Sequence, residues 1–350
     1  MRKLFICSIA LIGLLIAATK PAKAQSTTGD AVSYMNSISD AETQMNKSYM
    51  AYVSAAAHSS RKRKIEKLRV QTVDNIVICQ NTINYLTAYK GDNSLRQSSL
   101  SYVQLCYKIF NEDYVHIVNM EDIAERSYDE MQAYLLLQQA TDDTLEVAVK
   151  RMDKAERNFA AKYNITLTDA KSELGDKMDA TGRQSKYRNK VYLLFYKCNW
   201  EDNQLTTALN EKNVTKVEQT RSALDKYAIE RLKVLDTLHT FENDGSLANA
   251  CNQALTFYKN EAETQIPQLT DFFLKEENFE KLKTALDAKP QSTRTQQDVD
   301  TYNKGVNDMN NSVNTFNQIN ADLNNGRNDV NKIWDATEKA FIDVHTPYYK

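Results

Sequence analysis

This 350-residue sequence is poor in proline and glycine, with four of the first and eight of the second, and it has no proline between Asp30 and Ile266. Strands joined by tight turns need such residues at nearly every reversal. The scarcity therefore excludes an all-β chain and points to long helices. It also removes glycine-dependent chemistry. The sequence contains no phosphate-binding loop, dinucleotide fingerprint or nucleophile elbow, each of which needs glycine where the backbone turns sharply or approaches a ligand.

Cysteine is scarce as well. The five never stand as Cys-x-x-Cys, which argues against dithiol redox, zinc-finger and c-type haem sites. The four histidines, His58, His116, His239 and His345, fall on separate segments. Glu112, Asp113 and His116 share one helical face, but no Glu-x-x-His occurs, and a di-metal bundle needs that motif twice. No cofactor and no metal are expected. No apolar run after residue 18 is long enough to span a bilayer.

What is present begins with a basic start, Arg2 and Lys3, an apolar run over 4–18, and the small-x-small site Ala22-Lys23-Ala24. That is the layout of a secretory signal peptide, with cleavage expected after Ala24. The mature chain is expected outside the cytoplasm, in the periplasm or at the cell surface, with no transmembrane segment after cleavage. Residues 1–24 hold four cations and no acid, so their removal moves the formal charge from −2 to −6. A net acidic chain is not expected to bind nucleic acid.

Apolar residues recur at steps of three and four over most of the remaining chain. They predict helices over 30–58, from 61 towards Gly91, and from 95 onward. A fourth helix carries Tyr128 to Phe159, with Thr141-Asp142-Asp143 placed to interrupt it. A weaker segment covers 167–180. A nearly all-round apolar block, Val191 to Tyr196, predicts a central helix. Pro267 should kink or interrupt its helix, and separate helices are expected over 302–328 and 330–344.

An internal repeat organises this pattern. The turn Gly91-Asp92-Asn93-Ser94-Leu95 returns 152 positions later as Asn243-Asp244-Gly245-Ser246-Leu247. Gly91 and Asn243 are residue types that tolerate a left-handed backbone. Ser94 and Ser246 read as N-caps, with Gln97 completing a capping box. Ile65-Glu66 and Arg69 match Val217-Glu218 and Arg221 at the same offset, and later matches drift to 157, implying extra residues near Pro290. The expected fold class is all-α: two tandem, internally duplicated antiparallel helical bundles with long helices, over 25–182 and 183–350, the latter including a C-terminal helix and tail.

Two features carry site expectations. Cys79 lies 12 residues before Gly91 and Cys106 lies 12 after Ser94. On two helices folded back at that turn the two stand at equal height, so they form a candidate disulfide, against the alternative of two buried free thiols. Arg61-Lys62-Arg63-Lys64 opens a helix, where positive charge works against the macrodipole. This run reads as a patch for an anionic partner, against the alternative of a solvated face. The leading functional expectation is a non-enzymatic extracytoplasmic scaffold that binds a partner protein or an envelope polysaccharide or lipid. The alternative is a small-ligand or metal carrier with a pocket between helices, and an enzyme stands third.

Overall fold

The computed structural model describes residues 29–113, 128–167 and 172–349. The signal-peptide expectation and His116 lie outside these residues. The protein is all-α, with no strand among the described residues. Helices α1 (Gly29–His58), α2 (Lys62–Tyr85) and α3 (Ser94–Tyr107) are followed by a π-helical segment, Lys108–Asp113. Then come α4 (Tyr128–Lys162), α5 (Glu173–Asn210), α6 (Val214–Leu235) and α7 (Ser246–Asn260). A second π-helical segment, Glu261–Gln265, leads into α8 (Ile266–Asp287), and α9 (Gln296–His345) completes the order.

The chain forms two compact units. One runs to Asn189 and takes in Ala340 onward; the other is Lys190–Lys339. In the first, α1 packs along α2, α2 on α3, and α3 on α4, around Met35, Ile38, Tyr49, Ile76, Ile83, Val103, Leu145 and Phe159. In the second, α6 packs on α7 and α8. The Val191–Tyr196 block is buried at every position except Leu193, and Phe195 stacks on Trp334 with ring centroids 4.1 Å apart. Helix α9 comes so close to α7 that a Cβ on Gly326 would stand 2.3 Å from the Phe257 ring.

Several expected breaks are absent. Helix α4 runs straight through Thr141-Asp142-Asp143. The hydroxyls of Thr141 and Thr144 donate back to the carbonyls of Leu137 and Ala140 at 2.9 and 2.7 Å, a helix-compatible alternative to capping. Burial of Asp142 pushes its carboxyl up to about 8, against the pull of Lys186. The weaker segment ending at 180 and the central helix with Val191–Tyr196 are parts of one helix, α5, which continues through Gly182. The two helices expected after residue 302 are one 50-residue helix, because its apolar row never loses register and no proline interrupts it. Near Pro267 the α-helix is interrupted: the π-helical segment ends at Gln265 and Pro267 stands in the first turn of α8, where its missing N–H is not needed.

The paired turns hold left-handed residues as expected, in a different arrangement. Helix α2 ends at Tyr85 and α6 at Leu235, before the turns. Tyr89 and Asp92 exchange both backbone hydrogen bonds, at 3.0 and 2.8 Å, and so do Phe241 and Asp244, at 3.1 and 2.7 Å. Between them Lys90 and Gly91 have φ of 49° and 83°, and Glu242 and Asn243 have 48° and 70°. Two consecutive positive φ values are the mark of the tight two-residue hairpin turn. The expected Ser94 capping box does not form. Asn93 and Gly245 occupy the cap positions without side-chain caps. Instead Asp92 Oδ1 accepts from Ser94 N at 2.9 Å and Asp244 Oδ1 from Ser246 N at 2.7 Å. The hairpin brings each aspartate into reach of the first helical N–H, and a carboxylate there is the stronger acceptor.

One more pair of contacts repeats at the offset of 152. Arg69 is ion-paired to Glu66 and donates to the Phe110 carbonyl at 3.4 Å; Arg221 is ion-paired to Glu218 and donates to the Ala262 carbonyl at 3.3 Å. Both carbonyls belong to the π-helical segments.

Candidate functional site

The basic run sits where α2 begins. Arg61 holds the cap position without a side-chain cap, and no acid occupies the first turn. Ser59 Oγ accepts from Arg61 N at 3.2 Å, which orders the entry. Arg61, Lys62, Arg63 and Lys64 are all exposed, and none makes an ion pair among the described residues. The structure brings the four together as one uncompensated cationic cap. The equivalent entry to α6 is built differently. Asn213 Oδ1 caps Lys216 N at 3.0 Å, Lys212 pairs with Glu276 at 2.7 Å, and Lys216 pairs with Glu211 at 3.1 Å.

Cys79 and Cys106 do meet in the first unit's core, but as free thiols. The expected disulfide is absent. Equal height along the α2–α3 hairpin puts both in one buried cluster, yet height alone does not set the side-chain approach that a bridge requires. Burial pushes the Cys106 thiol up to about 12, opposed by the Tyr102 hydroxyl. Burial also raises Cys79, with Glu42 and Cys106 adding to the effect. Raised thiols of this kind are poor nucleophiles. Cys198 and Cys251 are likewise free and buried.

The same core holds two acids that the sequence reading passed over. Glu42, on α1, is 2% exposed and accepts a hydrogen bond from the Ser99 hydroxyl. Burial pushes its carboxyl up to about 7 against that lowering contact. Glu156, on α4, is pushed up to about 8 by burial, then by Glu42 and Asp153, with Arg157 opposing. A signal was present: Glu42 stands four after Ile38 and three before Met45, inside the apolar stripe of α1.

The second unit buries an ionic cluster. Arg327 Nε donates to Asp202 Oδ1 at 2.7 Å, and Arg327 Nη2 lies 3.3 Å from Glu261 Oε2. Burial and the adjacent Asp202 carboxylate hold Glu261 well above the usual carboxylate range, with Arg327 opposing. The cluster thus sets one cation between two acids, the closer contact being to Asp202. The buried Tyr258, close enough to feel Asp202 and Glu261, accepts from Asn199, which also donates to Asn331 Oδ1, both at 2.9 Å. Arg327 too had a signal, four residues after Leu323 on the apolar row.

Among the described residues no three His, Cys, Asp or Glu side chains come together as a metal-holding group. No helix among them is long and apolar enough to cross a membrane. Searches against protein-family models, curated proteins and solved structures find no match for this chain.

Proposed function

We propose that the protein is an extracytoplasmic binding scaffold made of two duplicated helical units, which holds an anionic partner or envelope component through the cationic start of α2. The observation that carries this reading is the contrast between the two helix entries. At equivalent positions 152 apart, one entry is capped, with its neighbouring lysines ion-paired, and the other presents Arg61 to Lys64 without a cap or an acid. Four neighbouring cations repel one another and oppose the helix dipole, and the α6 entry makes the same turn without them. Their concentration at one exposed point favours use over structure. The hairpin turns and the paired Glu–Arg–carbonyl contacts, at a constant offset, support duplication of a single ancestral unit.

The test is fractionation of cells producing the full chain, followed by salt elution from isolated envelopes. The processed protein is expected outside the cytoplasm. It should be retained at low salt and released as salt screens the contact, and Arg61→Ser, Lys62→Ser, Arg63→Ser and Lys64→Ser together should abolish retention. An unprocessed cytoplasmic protein, or retention indifferent to those four substitutions, sinks the reading.

A further inference from the structure

The outer face of α2 carries more than charge. Arg63, Lys67, Val70, Asp74, Ile78, Asn81 and Tyr85 are all exposed. At 100° per residue they fall within a sector of about 80°. The inward face, Thr72, Ile76, Cys79 and Ile83, lies on the other side of the helix. The outer stripe thus runs about 33 Å along the helix, cationic at its start and set with large apolar side chains beyond. Val70 is 45% exposed, Ile78 60% and Tyr85 87%.

Helix α6 is an internal control for what that position requires. Its buried face, Val217, Leu224, Ala228 and Leu235, keeps the same phase at the offset of 152. Its outer stripe reads Thr215, Gln219, Ser222, Lys226, Glu230 and Lys233, with Thr237 just beyond the helix, all exposed. Every position is polar. Folding and solvation of this helix therefore do not call for an isoleucine, a tyrosine or a valine on the stripe.

We propose that the outer face of α2 is a docking surface for an amphipathic helix of a partner protein, acidic at one end and apolar over the remainder. Charge complementarity sets the acidic end against Arg63 and Lys67, and the apolar row meets Val70, Ile78 and Tyr85. Arginine, tyrosine and an exposed aliphatic residue are the types that anchor such interfaces. A second copy of this chain does not fit the stripe. Parallel pairing faces cations with cations, and antiparallel pairing buries Arg63 and Lys67 against Ile78 and Tyr85. A lipid surface fits less well, because Asp74 stands midway along the stripe, where an anionic bilayer repels it. The inference rests on the scaffold reading and specifies the partner's chemistry.

The test uses the full chain and three probes. One is a helical peptide of about 22 residues with glutamates at one end and leucines along one face, matched to the stripe length. The second is its twin with lysine replacing each glutamate, and the third is phosphatidylglycerol vesicles. The acidic peptide should bind, and the lysine twin at least about tenfold more weakly. Ile78→Ser and Tyr85→Ser should each weaken the acidic peptide by about tenfold. Glu230→Ser and Lys233→Ser on the control stripe should leave its binding unchanged. Circular dichroism of each variant checks that the helices persist. Equal binding of the two peptides, or indifference to Ile78→Ser and Tyr85→Ser, overturns the proposal. So does vesicle binding or self-association that depends on those two residues. If the peptide arm fails while salt-sensitive envelope retention persists, this inference falls and the scaffold reading stands.

Discussion

The Ser99 hydroxyl donates to the Glu42 carboxyl, with Ser99 fully buried and Glu42 2% exposed. That contact favours the ionised acid, but burial outweighs it and Glu42 titrates near 7, with Glu156 near 8. Both acids hold a proton in the folded state that the unfolded chain gives up at the ordinary value of 4.5.

The sign of the pH dependence follows. Below pH 4.5 both states are protonated and the two acids leave stability undiminished. Between pH 4.5 and about 7 to 8 the unfolded chain has released both protons while the folded state still holds them, so stability falls across that window by an amount on the order of several kcal/mol and levels off above it. Denaturant titrations at pH 5 and pH 9 should show lower stability at pH 9, and Glu42→Gln with Glu156→Gln should narrow the difference. A wild-type protein equally stable at both values would contradict this account.

Among the described residues Arg327 is the one cation paired with both buried acids, Asp202 at 3% exposure and Glu261 at 0%. Arg327→Leu removes the partner and strands the Asp202 charge, so the expected cost is about 3–5 kcal/mol. Adding Asp202→Leu should recover part of that loss. A double variant no more stable than Arg327→Leu alone would mean that the ion pair is not what the single change breaks.

At the two hairpin turns the backbone sets the penalty. Nothing lies within 4 Å of a Cβ built on Gly91, yet its φ is 83°, so Gly91→Ala should cost about 1 kcal/mol from conformation alone. Asn243 already accepts φ of 70°, so Asn243→Gly should be nearly neutral. Thermal unfolding of both variants checks the pair, and an equal loss from each would refute a backbone origin.

The four core thiols should behave as a folded-state reporter. All are free and no more than 2% exposed, and burial pushes Cys106 and Cys198 up to about 12. Alkylation near neutral pH should be slow in buffer and complete in denaturant, at rates that follow global opening. A non-reducing peptide map showing Cys79 joined to Cys106 would restore the disulfide that the sequence suggested.

Much of this architecture was legible in the chain because the rules involved act over a few residues. Steps of three and four marked α1 and α2 as helices with one apolar face. The lack of proline fixed the helical class, and Gly91 and Asn243 marked where the backbone must turn left-handed. The cationic start of α2 was legible as a run of four letters. Other features needed side chains from distant segments. Ser94 reads as a cap until the hairpin carries Asp92 to the same N–H. Cys79 and Cys106 share a height, and the packed core holds both as buried thiols. Glu42, Glu156 and Arg327 look like misplaced charges on apolar stripes, and only the packed core supplies Ser99 and Asp202 as their partners. Helix α2's outer stripe shows the division most plainly. Its residues, its outward side and the polar counterpart on α6 follow from spacing and the repeat, but how far each side chain is left uncovered comes only from the packing of the other helices.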